Sequence, residues 1–186
     1  MSRPPGAPPS PTRRKKPATR LAPALRLEAL RAGLRGEAFD LTVSEGETVT
    51  AYGTDEAALS GLLDLIAGFS PPMGGHVLVQ ETDVTSRPAG QRSIVLISTR
   101  DPLFPHLDTR SNIVFALRAQ GQSRAEADAG AGRMMSLLGL DGLGNLSPQG
   151  LNPEQTFRAM LARALVTAPT ILLLDNPYGG LDIHAG

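Results

Sequence analysis

The chain has 186 residues, of which 41% are hydrophobic, and its 18 basic and 18 acidic side chains balance to a formal net charge of zero. This length and composition suffice for one globular domain with a substantial core. The sequence contains no cysteine, which excludes disulfides and thiolate zinc sites. No apolar run approaches the roughly 18 residues that a membrane-spanning helix needs, so we expect a soluble, non-secreted protein.

The charges are distributed unevenly along the chain. Residues 1–20 contain six basic side chains, six prolines and no acid, which predicts a disordered basic tail. A less favoured reading is a polybasic patch that touches anionic lipid or nucleic acid. The remaining residues carry 12 arginines against 18 acids, and no lysine follows Lys16. Such an acidic body is a poor nucleic-acid surface, and we expect no nucleic-acid partner.

The first half of the body is predicted to be strand-rich with one clear helix. LRLEAL, EAFDLTV and TVTAY have the composition of short strands. The next segment predicts a helix over 56–67, which ends at Gly68. Its apolar side chains recur at helical spacing on one face: Leu59, Leu62, Leu63 and Ile66.

The second half alternates helices with buried strands. HVLVQ and SIVLIS are predicted strands, and the continuous apolar run ILLLD is typical of a buried parallel strand. Helices are predicted over 110–120, 124–138 and 155–166. This alternation indicates an α/β fold with a mostly parallel sheet, a short N-terminal antiparallel part and a helical insert.

The segment that joins TVTAY to the first helix has the frame of a phosphate-binding loop, G-x-x-x-x-G-K-[S/T]. Gly53 and Ser60 hold the outer positions at the required spacing. Ala58 replaces the second glycine, and Leu59 replaces the lysine that would grip the phosphates. The candidate nucleotide-binding residues are Gly53, Thr54, Asp55, Glu56, Ala57, Ala58, Leu59, Ser60 and Gly61.

Several segments in order resemble the ATP-binding subunit of an ABC transporter, of the importer type that serves polyamines, iron(III), molybdate or sulfate. The resemblance covers roughly residues 25–182, and its stretches are LLDLIAGFSPPMGGHVLV, DVTSRPAGQRSIVLI, PLFPHLDTRSNIVFALRAQG, LLGLDGL, LARALVTAPTILLLD and PYGGLD. It implies a P-loop NTPase-like core, ATP and Mg²⁺ as cofactors, and a permease and a second nucleotide-binding subunit as partners. It also implies a location at the cytoplasmic, inner face of the membrane.

The resemblance places residual magnesium positions at Ser60 and Asp175, but other positions depart from the family pattern. Asn176 stands where the family has the glutamate that activates water, and an amide is no general base. Thr99 replaces a glutamine that contacts Mg²⁺. The signature L-S-G-G-Q reads Leu-Asn-Pro-Glu-Gln over 151–155, where a proline lacks an N–H and a glutamate adds negative charge.

Acidic residues inside the loop add to these departures. Asp55 and Glu56 are good caps for a helix N-terminus, yet they repel an incoming phosphate. No catalytic residue of the family is retained at the glutamate position. We therefore expect weak or absent ATP binding.

The resemblance also sets the expected domain organisation. We expect a tail over 1–20, a nucleotide-binding domain over 21–186, and a helical insert over about 105–155. Asp182 keeps the acid of the GGLD dimer-contact segment. The chain stops at Gly186, before the strand and switch histidine that should follow, which we interpret as a truncation. His184 is too near Asp182 to be that histidine, and His76 and His106 are isolated.

Three functions remain open from the sequence. The first is an importer ATP-binding subunit impaired in ATP binding and hydrolysis, which acts as a non-catalytic partner. The second is an active ATP-hydrolysing subunit with unusual residues. The third is a scaffold or remnant without nucleotide function.

Overall fold

The computed structural model describes residues 22–32 and 38–177. Its N-terminal part is a four-stranded antiparallel sheet in the order β2-β1-β3-β4. Strand β1 (Pro23–Arg31) pairs with β2 (Phe39–Ser44) on one side and β3 (Gly74–Val79) on the other, and β4 (Thr82–Asp83) pairs with β3. The predicted strands LRLEAL and HVLVQ are confirmed, and the described part of EAFDLTV is confirmed as β2.

A second sheet contains the two apolar strands of the sequence. Strand β5 (Ile94–Ser98) pairs in parallel with β6 (Ile171–Asp175), in a register that joins Ile94 to Ile171 and Ser98 to Asp175. Both strands were predicted, and their carboxyl ends therefore lie side by side. In a parallel sheet this is the edge at which ligands bind.

The strand predicted over 48–52 is wrong. Residues 47–53 lie outside any strand and are exposed. A strand needs a hydrogen-bonded neighbour to be stable in water, and none of the described strands pairs with this segment. The connection from β2 to the first helix is therefore irregular backbone that faces solvent.

Four α-helices follow the predicted ranges to within two residues. Helix α1 (Glu56–Ala67) ends at Gly68, whose φ of 90° closes the helix in the left-handed region. The later helices are α2 (Thr109–Ala119), α3 (Arg124–Leu137) and α4 (Pro153–Leu165). Within residues 22–32 and 38–177, no helix combines the length and the apolar character that crossing a membrane requires.

The sheet of β5 and β6 lies between two hydrophobic clusters. Alternate side chains of a strand point to opposite faces. Ile94 and Leu173 belong to the first cluster, with β1, β3 and α1. Ile97 belongs to the second cluster, where Leu172 also packs, together with α2, α3 and α4. The small parallel sheet thus joins the N-terminal half of the body to the helical half.

Candidate functional site

The N-terminus of α1 is capped by a side chain from the loop that precedes it. Asp55 is the N-cap residue, and its Oδ1 accepts a hydrogen bond of 3.0 Å from the backbone N–H of Ala58. Glu56 adds a second carboxylate in the first turn. The capping role expected for acidic residues here is confirmed at Asp55. One of the helix N–H groups, which are the usual anion-binding groups of such a loop, is thus already bonded to a carboxylate.

The loop backbone lacks the conformations that would curl it around an anion. Residues 53–58 are exposed, and none of them has a positive φ. Leu59, at the lysine position, is half-buried at the helix start. The assignment of residues 53–61 as nucleotide-binding stays a prediction.

The two residual magnesium positions come together in space. Ser60, on α1, donates a hydrogen bond of 2.9 Å from its Oγ to Oδ1 of Asp175, at the end of β6. Ser98, at the end of β5, lies 3.4 Å from the other carboxylate oxygen, Oδ2. The side chain of Asp175 is only 12% exposed, so these polar contacts replace most of its hydration. The carboxyl ends of both strands and one face of α1 therefore meet at Asp175.

Arg100 completes this cluster, which we call the Arg100 cluster (Ser60, Asp64, Ser98, Arg100 and Asp175). Its Nη1 and Nη2 donate to Oδ2 and Oδ1 of Asp64, each at 3.0 Å, in a bidentate pair. Nη2 also donates to Oδ2 of Asp175 at 3.1 Å. Hydrogen bonding to Asp64, followed by the charges of both carboxylates, raises the pKa of Arg100 above its usual value. The guanidinium therefore stays charged at any physiological pH.

The Arg100 cluster does not fit Mg²⁺. Both oxygens of Asp175 already accept hydrogen bonds, one from Ser60 and one from Arg100. A fixed positive charge stands 3.1 Å from the carboxylate that would have to ligate the ion. Within the described residues, no group of three or more acidic or histidine side chains is arranged to hold a metal.

The positions expected for catalysis share a cleft beside this cluster. The cleft has a volume of about 270 Å³ and lies between the carboxyl ends of the parallel strands and the start of α4. Its lining includes Thr99, Asn176, Pro153 and Phe157. Thr99 and Asn176 are both exposed, and Asn176 has a φ of 48°, a left-handed conformation that asparagine tolerates well.

The segment at the signature position is a helix cap. Asn152 Oδ1 accepts from the backbone N–H of Gln155 at 2.8 Å, and Gln155 Oε1 accepts from the N–H of Asn152 at 3.0 Å. Pro153 begins α4, and Glu154 pairs with Arg158 one turn later. Asn152 is thus the N-cap residue of α4. Two backbone N–H groups at the start of α4, those of Asn152 and Gln155, therefore have partners within the chain.

The LFPHL segment (103–107) is held by a buried asparagine. Asn112 is fully buried, and its Oδ1 accepts from the N–H of Phe104 at 2.8 Å. Its Nδ2 donates to the carbonyl oxygens of Phe104, Leu107 and Asp108 at 3.0–3.2 Å. The guanidinium of Arg163 lies 5.0 Å from the ring centre of Phe104. The segment thus has a fixed shape on the surface of the helical half.

The remaining sequence-predicted residues lie apart from this site. His76 is exposed on β3 and contacts Asp83 at 2.8 Å, whereas His106 is exposed in the LFPHL segment. Asp182 and His184 fall outside the described residues, as does the tail over 1–20. The proposed domain boundaries stay predictions.

Sequence reasoning missed Arg100 and Asp64, although signals for both were present. Asp64 lies one helical turn after Ser60, so the two side chains share a face of α1. Arg100 follows a buried strand by two residues, beside the place where the parallel strand ILLLD ends. The positions of Asp64 and Arg100 in the sequence point to a shared site only once the pairing of β5 with β6 is known.

The parallel pairing of β5 with β6 and the packing of α1 against both strands give an α/β domain with a P-loop NTPase-like fold. A family model described as ABC transporter matches residues 37–179. The chain belongs to this family, and the predicted family is confirmed.

Curated relatives agree with this assignment. The chain is 40% identical over 144 residues to the spermidine/putrescine import ATP-binding protein PotA of Frankia alni. The aligned region covers 77% of this chain and 31% of that protein. It is 36% identical over 144 residues to the Fe(3+) ions import ATP-binding protein FbpC 1 of Rhizobium meliloti, covering 77% and 41% of the two chains. It is 32% identical over 170 residues to the putative 2-aminoethylphosphonate import ATP-binding protein PhnT of Salmonella paratyphi A, covering 89% and 46%.

A solved structure has the same fold. The cbiO1 protein of Clostridium perfringens, part of the ABC transporter complex cbiONQ, superposes with a TM-score of 0.74 over 87% of this chain and 68% of that chain. At 20% identity the likeness shows the fold alone, and the predicted α/β fold class is confirmed. The chain spans 31% to 46% of the length of the curated relatives described above.

Proposed function

We propose that this chain is an importer ATP-binding subunit impaired in ATP binding and hydrolysis, which acts as a non-catalytic partner in a transport complex. The observation that carries the proposal is the carboxylate of Asp55, which accepts a hydrogen bond from the Ala58 N–H at the start of α1. The names of the relatives, all import ATP-binding proteins, support the transport context.

The loop chemistry supports weak binding of ATP with Mg²⁺. A helix N-terminus favours anions through its free N–H groups and its dipole, but here Asp55 and Glu56 place negative charge at that end. Replacing the lysine by Leu59 removes a charged hydrogen bond worth about 1.5–3 kcal/mol, or roughly one to two decades of affinity. Arg100, which contacts the same Asp175 carboxylate as Ser60, is already paired with two carboxylates.

The cleft beside the site supports slow hydrolysis. Asn176 offers an amide where a water-activating carboxylate would be needed, and general-base catalysis contributes roughly 10²–10⁴-fold to a rate. The exposed Thr99 has a shorter side chain than the glutamine of the family pattern. The capped start of α4 offers Glu154 and Pro153 where a partner's phosphates would need N–H donors.

The helical half supports contact with a permease at the inner face of the membrane. The LFPHL segment is fixed by Asn112, while Pro105 and His106 remain exposed. Phe115 is 51% exposed, and its ring meets the ring of Phe104 in an edge-to-face arrangement with 5.0 Å between the centres. An apolar surface of fixed shape suits a protein partner. A second nucleotide-binding subunit is the other partner that we propose.

The test is a titration of the full chain with a fluorescent ATP analogue and Mg²⁺, with thermal stability followed in parallel. We expect no saturation below about 1 mM. The double variant Asp55→Asn, Leu59→Lys should bind at least about tenfold more tightly, because it removes a negative charge, retains a capping side chain and restores a cation.

The matched control is Leu137→Lys, which adds a lysine at an exposed position of α3 and should leave binding unchanged. Saturable micromolar binding by the unaltered chain, with a gain in thermal stability, would overturn the proposal. A chain that binds no nucleotide and also fails to crosslink to a permease through residues 102–107 in cells would support a scaffold instead.

A further inference from the structure

We propose that Arg100 is the resident cation of the Arg100 cluster and is the residue that keeps divalent metal out of it. This inference rests on the proposed function and deepens it. The Arg100 guanidinium provides the positive charge between α1 and the carboxyl ends of β5 and β6, where a metal ion would otherwise provide it.

The oxygen atoms by themselves have a spacing that suits a small divalent cation. Mg²⁺ binds oxygen ligands at 2.0–2.1 Å in near-octahedral geometry, so neighbouring ligands lie about 3 Å apart. Ser60 Oγ and Asp175 Oδ1 are 2.9 Å apart. This is also the distance of an ordinary O–H···O hydrogen bond, so the positions of the two oxygens do not by themselves exclude a divalent cation.

The guanidinium supplies that exclusion. It lies within hydrogen-bond distance of Asp175 Oδ2 and forms two parallel bonds to Asp64. Its Nε is 3.2 Å from Ser98 Oγ, which also accepts from the Arg100 backbone N–H at 3.1 Å. The guanidinium is therefore held by Asp64, Asp175 and Ser98. Bidentate arginine–carboxylate pairs of this kind have a well-defined geometry. A metal ion at the Ser60–Asp175 edge would sit against a positive charge held in place.

The net charge of the Arg100 cluster also indicates that the guanidinium keeps divalent metal out. Two carboxylates, Asp64 and Asp175, face one guanidinium, so the cluster carries one net negative charge in the absence of metal. Removing the guanidinium leaves two negative charges beside a serine hydroxyl, one of them on a carboxylate that is only 12% exposed. Two carboxylates and a hydroxyl without a guanidinium favour binding of a divalent cation.

The experiment uses Mn²⁺ alone, without nucleotide, as a paramagnetic probe on the full chain. Arg100→Gln should bind Mn²⁺ at least about tenfold more tightly than the unaltered chain, since repulsion between a unit charge and a divalent ion at a separation of about 4 Å costs more than that factor even in water. Mn²⁺ should also raise the thermal midpoint of Arg100→Gln. Adding Asp175→Asn to that variant should abolish both effects.

Two further variants separate charge from packing. Arg110→Gln is the matched control, because it removes a guanidinium from another carboxylate, Asp128, at 2.7 Å on the helical half. It should not change Mn²⁺ binding. Arg100→Lys keeps the positive charge but loses the bidentate fork, and it should still exclude Mn²⁺ while lowering stability.

Equal Mn²⁺ affinity of Arg100→Gln and the unaltered chain would overturn the inference. So would Mn²⁺ binding by the unaltered chain that Asp175→Asn removes, a result that needs no Arg100 variant to fold. The proposed function fails separately, on tight binding of the ATP analogue by the unaltered chain, whatever the Mn²⁺ titrations show.

Discussion

At the scale of single residues, Asn112 shows how one buried amide fixes a surface segment. Its side chain makes four hydrogen bonds, three of them to backbone groups of residues 104 and 107 and one to the carbonyl of Asp108, which precedes α2. Irregular backbone that lies against a core needs such partners, because unpaired buried N–H and C=O groups are costly. LFPHL and Asn112 lie in one stretch of the family resemblance, and these hydrogen bonds connect the two physically.

We predict that Asn112→Ala lowers the free energy of unfolding by about 1–3 kcal/mol or more, since it leaves buried backbone groups without partners. Urea unfolding followed by circular dichroism measures this loss. Asn145→Ala, at an exposed position, serves as the control and should change stability by less than about 0.5 kcal/mol. Equal losses in the two variants would show that the Asn112 bonds do not stabilise the segment.

At the scale of elements, the end of α1 depends on a buried arginine from a distant turn. Arg92 is 3% exposed and donates to the carbonyl oxygens of Leu65 and Ile66 at 2.8 and 3.0 Å. It also donates to the carbonyls of Arg87 and Thr85. A cation at a helix C-terminus satisfies the free carbonyls and the dipole. Because Gly68 has no side chain, the guanidinium passes directly over the helix end.

We predict that Gly68→Ala destabilises the protein more than Gly46→Ala. Both glycines have a positive φ, 90° and 72°, so both variants bear the cost of a left-handed alanine, about 1 kcal/mol. Only at Gly68 would the new Cβ meet another atom, Nε of Arg92 at 2.4 Å, whereas it meets nothing within 4 Å at Gly46. The displaced guanidinium would lose carbonyl partners, each worth about 1 kcal/mol or more.

Chemical denaturation of the two variants side by side is the measurement. A further loss of about 1–2 kcal/mol in Gly68→Ala relative to Gly46→Ala is the expected result. Indistinguishable midpoints would mean that Arg92 moves aside without cost and does not hold the end of α1.

At the scale of the whole molecule, the two-stranded parallel sheet couples two hydrophobic clusters. Leu27 is 2% exposed in the first cluster, and Leu140 is fully buried in the second. The two faces of β5 and β6 contribute to different clusters, so loss of packing on one face removes support from the other. The Arg100 cluster at the carboxyl ends of these strands adds a polar connection to α1.

We predict that Leu27→Ala and Leu140→Ala each lower the free energy of unfolding by about 2–5 kcal/mol, the range for buried leucine truncations. Both variants should keep a single cooperative transition, with coincident curves from circular dichroism and from amide exchange. Leu137→Ala, at an exposed position of α3, is the control. Two separate transitions, one for each cluster, would contradict the coupling through β5 and β6.

Much of the fold was determined by the sequence itself, because caps and apolar periodicity act within a few residues of each other. Asp55 was recognisable as a cap, and α1 and ILLLD were recognisable from their patterns. The loss of the loop lysine was likewise evident from the sequence. The tertiary structure decided two other features. The segment over 48–52 has strand composition but remains irregular, because a strand forms only beside a partner. Arg100 meets Asp64 and Asp175, residues 36 and 75 positions away, only because the pairing of β5 with β6 and the packing of α1 bring them together.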